Sequence, residues 1–135
     1  MKILHCCLSC FYIDDYGYQE NILPKMHKSQ GHDVRIVAST ETYIENKKIG
    51  YTEPKDYMNE DNILVSRIPY SKWIPSLINK KIRLYNGLEK NLNSFKPDII
   101  FLHEFQFLSA LDIIEYKKNN PNVKIYVDGH TDLIN

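Results

Sequence analysis

The sequence predicts an α/β protein, a parallel sheet of about five strands with helices on both faces. Two observations lead there. Short continuous apolar runs alternate along the chain with stretches whose apolar residues recur every three or four positions, the pattern of strand followed by helix. The runs also lie far enough apart for a crossover of about a dozen residues, which parallel neighbours require.

Each element has its own signal. Lys2 to Leu8 is a compact apolar run, followed by a polar turn and an amphipathic stretch that puts Ile22, Leu23, Met26 and Tyr18 on one face. Pro24 lies in that stretch and, outside a helix's first turn, removes a hydrogen bond and bends the helix. In "SQGHDVRIVAST", Gly31 stops the helix as a left-handed cap, and Val34, Ile36 and Val37 carry a second strand. Residues 40 to 62 are polar and turn-rich. "NILVSRIP" gives a third strand around Ile63 to Arg67, ended by Pro69. The recurrence of Ile78, Ile82, Tyr85, Leu88, Leu92 and Phe95 predicts one long helix, terminated at Lys96 and Pro97. "DIIFLH" is a fourth strand, Phe107, Leu108, Leu111 and Ile114 mark a further helix, and "VKIYVDG" is a fifth strand after the turn at Pro121.

The totals set outer bounds. A chain of 135 residues suits a single core, and 17 basic against 17 acidic side chains leave no net field to draw it onto nucleic acid. No apolar run is long enough to cross a bilayer. The opening "MKILHCCLSC" lacks a small-residue cleavage site before Asp14 and Asp15, so it reads as a strand and not as a leader. Three clustered cysteines do not make an extracellular disulfide framework, which favours a cytoplasmic location. The sequence stops soon after the fifth strand with no covering helix, so the expectation is the N-terminal part of a larger fold.

Ligands of parallel sheets sit beyond the carboxyl ends of the strands, where the strand order reverses. Those loops are Ser9 to Tyr18, Ser39 to Glu45, Arg67 to Trp73, His103 to Phe107 and Asp128 to Asp132. His5, Cys6, Cys7 and Cys10 offer soft metal ligands, but alternate strand residues point to opposite faces and no second pair stands at metal-site spacing, so no metal is expected. The loop after the first strand has one glycine, Gly17, where a dinucleotide fingerprint needs three, so no cofactor is expected. A phosphorylatable receiver domain would need an aspartate and a lysine where Arg67 and Asp128 stand.

Three blocks in order, "MKILHCCLSCFYIDDYGYQENILPKMHKSQGHDVRIVAS", "SFKPDIIFLHEFQFLSAL" and "VKIYVDGHTD", resemble glycosyltransferase family 4, whose members have the GT-B fold. They match that family's first strand, loop and helix, its lysine-proline-aspartate strand ending in histidine, and its later strand ending at a histidine. The resemblance implies a Rossmann-like N-terminal domain over residues 1–135, the acceptor side of a retaining enzyme that moves a sugar from a nucleotide donor to a saccharide or lipid-linked acceptor. The donor-binding C-terminal domain would be a necessary partner, and this chain alone would be inactive.

The same resemblance assigns roles. His130 matches the histidine near the reacting sugar, where a fixed donor helps as oxocarbenium character develops. Tyr16 and Gly17 would form the wall of the interdomain cleft, Tyr16 standing where the family has the first of two adjacent glycines, while Gly17 also serves to start a helix at a tight turn. His103 and Glu104 would bind acceptor hydroxyls or supply a base, or else pack in the core and face solvent respectively. Asp128 would orient its turn or bind hydroxyls. Arg67, with Lys72, Lys80, Lys81 and Arg83, could attract an anionic acceptor such as a phosphate-linked lipid at the inner face of a membrane, although a solvated helix face also explains the last three. Two other classes fit the residues: a binding subunit whose donor half is on another chain, and a small nucleotide-binding domain acting alone.

Overall fold

The computed structural model describes residues 1–129. Strands β1 (Lys2–Cys7), β2 (Asp33–Ser39), β6 (Leu64–Ile68), β7 (Ile99–His103) and β8 (Lys124–Asp128) are the five expected from the apolar runs. They run parallel. A sixth strand, β5 (Lys55–Met58), adds antiparallel to β6, so the main sheet is mixed, with the order β5-β6-β2-β1-β7-β8. The architecture is α/β and consistent with a Rossmann-like fold.

The polar region from 40 to 62 holds more structure than its composition suggests. It supplies β5 and a separate hairpin of β3 (Glu41–Tyr43) and β4 (Ile49–Tyr51). Edge strands can be polar because one side faces water, which is why period and hydrophobicity did not reveal them. Asn59 closes the turn into β6 by accepting from the backbone N–H groups of Asp61 and Ile63.

Alternation along β1 divides the core. Leu4, Cys6 and Leu8 face α3 (Leu88–Phe95) and α4 (Ala110–Asn119), where Leu92, Phe95, Ile113 and Tyr116 complete one buried cluster. Ile3 and Cys7 face the other way, with Val34, Ile36 and Tyr12. Helix α1 (Gln19–Ser29) covers that second face.

Helix α1 ends as the sequence predicts. Gly31 is left-handed at φ +86°, and the His32 N–H returns to the His27 carbonyl at 3.2 Å. Its buried face differs from the expected one, because Asn21 and Pro24 turn inward while Tyr18, Ile22 and Met26 are exposed. Pro24 lies mid-helix and leaves the Glu20 carbonyl without its usual donor. The ring itself is buried.

The long helix expected over Ile78 to Phe95 is two helices, α2 (Ser76–Ile82) and α3. Arg83 (φ 53°) and Gly87 (φ 111°) are left-handed, and the chain between them turns back. Ser71 N–H donates to Leu84 O at 2.8 Å and Asn86 N–H to Pro69 O at 2.9 Å, a short antiparallel bridge that an unbroken helix could not make. The dipeptide Asn86-Gly87 was the available turn signal. Leu108, just before α4, and Leu111 and Ile114 within it are exposed, while Phe107, Ile113 and Tyr116 take the core positions.

Candidate functional site

The strand order reverses between β1 and β7, since the chain moves outward through β2 and β6 on one side and through β7 and β8 on the other. A cleft of about 350 Å³ opens at that point, on the carboxyl edge of the sheet. The loop after β1 contributes Ser9, Cys10, Phe11 and Ile13, the start of α1 Tyr18 and Glu20, the hairpin Tyr43 and Ile49, and the residue after β7 Glu104. Among the described residues its charged lining groups are two carboxylates, Glu20 and Glu104. Aromatic rings of Phe11, Tyr18 and Tyr43 form much of the rest.

Local folding explains how these groups are held. Asn21 of α1 donates its side-chain N–H to Ile13 O at 2.8 Å, which ties the helix start to the loop and carries Glu20 into the cleft. Glu104 has left-handed backbone, φ 63°, a conformation uncommon for glutamate, and its N–H donates to Asp128 O at 2.8 Å. Asp128 thus fixes the turn that carries Glu104. Tyr16 stacks beside Tyr18 and meets Tyr43 edge-on, with centroids 5.3 and 5.6 Å apart, supporting two of the lining rings.

Arg67 is not a ligand group in this arrangement. It is buried on β6, and its five N–H donors go to Tyr57 OH, the carbonyls of Ser39, Glu41 and Tyr12, and Asp14 Oδ2. The guanidinium fastens the two carboxyl-edge segments that follow β1 and β2 to strands β5 and β6. Burial and the hydroxyl's bond to Asp14, at 2.6 Å, both push the Tyr57 phenol up, so it remains a neutral donor.

Gly17 is exposed, and a Cβ added there would meet nothing within 4 Å. Its backbone is not crowded by this chain. His130 lies outside the described residues.

His103 does not join Glu104 in the cleft. Residues 99, 101 and 103 of β7 point to the α1 face, so the His103 ring turns inward and its Nε2 lies 2.9 Å from Nδ1 of His5. On the other side His5 Nε2 lies 3.0 Å from Nδ1 of His27 on α1. Phe101 stacks on His5 at 5.3 Å between centroids. A neutral imidazole has one donor and one acceptor nitrogen, so a single choice of tautomer orients the whole row. Burial holds the His5 imidazole well below its ordinary pKa, and the charges of His103 and His27 add to that. Burial likewise lowers His27, helped by His32.

No family model, curated protein or solved structure matches the chain. The geometry therefore carries the functional reading together with the sequence resemblance.

Cys6 and Cys7 fall in different core clusters, as strand alternation requires, and are free thiols. Burial raises Cys6 to about 12 and Cys7 well above the thiol range, the latter helped by its bond to Cys10 and by the Glu20 charge. Neither is a thiolate at neutral pH. Among the described residues, no group of three or more His, Cys, Asp or Glu side chains is placed to hold a metal ion.

Two participants escaped the sequence reading. Glu20 was hidden because the helix pattern assigns residues to faces and not to the mouth of a loop. The histidine row joins residues 22 and 98 apart in sequence. Its signal was the presence of His5 inside an otherwise apolar strand.

Proposed function

We propose that this chain is the acceptor-side domain of a retaining glycosyltransferase, and that its cleft between β1 and β7 binds a sugar of the acceptor. One observation carries the reading: at the topological switch point the cleft combines two carboxylates with three aromatic rings. Carboxylates accept hydrogen bonds from sugar hydroxyls, and rings pack against the apolar face of a pyranose. A nucleotide diphosphate would meet the negative charge of Glu20 and Glu104, with no lysine or arginine among the described lining residues to offset it. The donor therefore belongs elsewhere, on a second domain or a separate chain. This is the division of labour that the resemblance implies, with His130 beside the reacting sugar and transfer absent when this chain acts alone. Glu104 binds or deprotonates an acceptor hydroxyl in this reading, and Tyr16 and Asp128 support the cleft, while His103 packs in the core.

Calorimetric titration tests it with a panel of neutral oligosaccharides and a panel of nucleotide sugars. The expected result is millimolar or tighter binding of at least one oligosaccharide, weakened about tenfold or more by Glu104→Gln, since an ionised acceptor makes the stronger hydrogen bond. Micromolar binding of a nucleotide sugar to this chain, or oligosaccharide binding indifferent to Glu104→Gln and Phe11→Ala, overturns it.

A further inference from the structure

Trp73 is the chain's one tryptophan, and it is 95% exposed. Leu77 is 79% exposed and Ile78 is half exposed, on the short helix that follows. A solvated basic face would explain the lysines beside them but not these side chains, which forgo the gain of leaving water. The segment is held in place. Asn79 is fully buried, donating to Ser71 O at 2.8 Å and accepting from Leu84 N–H at 2.8 Å, so its amide clamps the loop at both ends. Trp73 and Leu77 thus project from an ordered scaffold.

The exposed charges carried by the segment itself have one sign. No aspartate or glutamate occurs between Asp61 and Glu89, while Lys72, Lys80 and Lys81 are exposed beside the apolar side chains. Next to Trp73 a depression of about 580 Å³ is lined by Lys72, Lys80, Tyr51, Tyr70, Ser71 and Ser76. Both tyrosine hydroxyls donate to the buried Glu41 carboxylate, which Arg83 faces at 3.8 Å, so the lysine ammonium groups and the serine hydroxyls are what the depression offers an anion.

We propose that residues 71–83 form a docking surface for a bilayer containing anionic lipids, with Trp73, Leu77 and Ile78 entering the interface and the Lys72–Lys80 depression taking a lipid headgroup phosphate. Tryptophan is favoured at the level of the headgroups, and lysine stems lie along apolar surface while their ammonium groups reach the phosphates. A protein partner fits less well, because lysine is depleted from protein interfaces and three apolar side chains are few for the core of one. The inference does not depend on the transferase reading.

Trp73 is its own reporter. Phosphatidylcholine vesicles with about 30% phosphatidylglycerol should shift its fluorescence to the blue and sediment the protein, and raising salt should weaken the binding. Pure phosphatidylcholine vesicles, and soluble glycerol phosphate at millimolar concentration, should do neither. Each lysine near an anionic surface is worth about fivefold in affinity, so Lys72→Glu with Lys80→Glu should weaken vesicle binding by at least about twenty-five-fold. Leu77→Ser should weaken it without changing the thermal midpoint, because that side chain is exposed. No blue shift with anionic vesicles, equal binding to both vesicle types, the same shift with glycerol phosphate, or binding that survives the double lysine variant overturns the proposal.

Discussion

His5 is fully buried and sits in a row of imidazoles, His103 on one side and His27 on the other, with His32 beyond. The amino group of Met1 lies 3.4 Å from His32 Nδ1, and the charges that act on His5 are those of two further bases, His103 and His27. Its folded pKa is lowered, which fixes the direction of the pH effect. Below the ordinary value of 6.5 the unfolded chain takes up a proton that the folded chain refuses. Stability is therefore greatest above that pH and falls as acid is added, until the lowered folded pKa is reached. For one such histidine the slope is at most about 1.4 kcal/mol per pH unit. Urea midpoints at pH 7.5 and 5.5 should show this loss in the native protein and a smaller loss in His5→Gln, whose amide keeps a donor and an acceptor but does not titrate. Equal acid sensitivity in the two proteins would rule out His5 as the source. A histidine in an apolar run could be recognised in the sequence as unusual, but its partners could not, because they come from a distant strand and a helix face. The same holds for Arg67, whose position near a strand end suggested a ligand group and whose five bonds emerge only once two loops and the edge strand β5 converge.

Elements were more legible than their boundaries and faces. The inner parallel strands were readable because a strand buried on both sides must be apolar throughout; β8, at the sheet edge and largely exposed, was readable from its alternation after the turn at Pro121. The polar edge strand β5 and the β3–β4 hairpin carry no such mark. Helix faces failed where local geometry outweighed period: α1 turns Asn21 and Pro24 inward because one ties down a loop and the other packs its ring. The break between α2 and α3 rests on Gly87, at φ +111° with an added Cβ only 3.3 Å from Ile68 Cγ2. Gly87→Ala should cost roughly 1–3 kcal/mol, combining backbone strain with that contact. Gly17→Ala should change stability by less than about 0.5 kcal/mol, since Gly17 is exposed, has no positive φ and has open space around its Cα. Thermal denaturation of the two variants side by side checks the contrast. A loss of oligosaccharide binding in Gly17→Ala without loss of stability would show that a ligand needs the room there.

On the scale of the molecule, the carboxyl edge of the sheet carries two surfaces of opposite character. One is the cleft at the β1–β7 switch point, acidic and aromatic; the other is the basic, tryptophan-bearing segment that follows β6. The fold keeps them on one edge because every parallel strand delivers its loop there. Like signs repel across short distances and opposite signs do not, so an enzyme acting on a lipid-linked saccharide could hold the phosphate at one surface and present the sugar to the other. The separation is measurable by amide hydrogen exchange on the intact chain. A bound oligosaccharide should slow exchange in residues 9–20 and 104–108 and leave 71–83 unchanged. Anionic vesicles should slow exchange in 71–83 and leave the cleft loops unchanged. If either ligand protects both regions, the edge works as one composite site; if the two footprints stay apart and both ligands bind together with unchanged affinities, the cleft and the membrane surface are independent devices built on the same sheet.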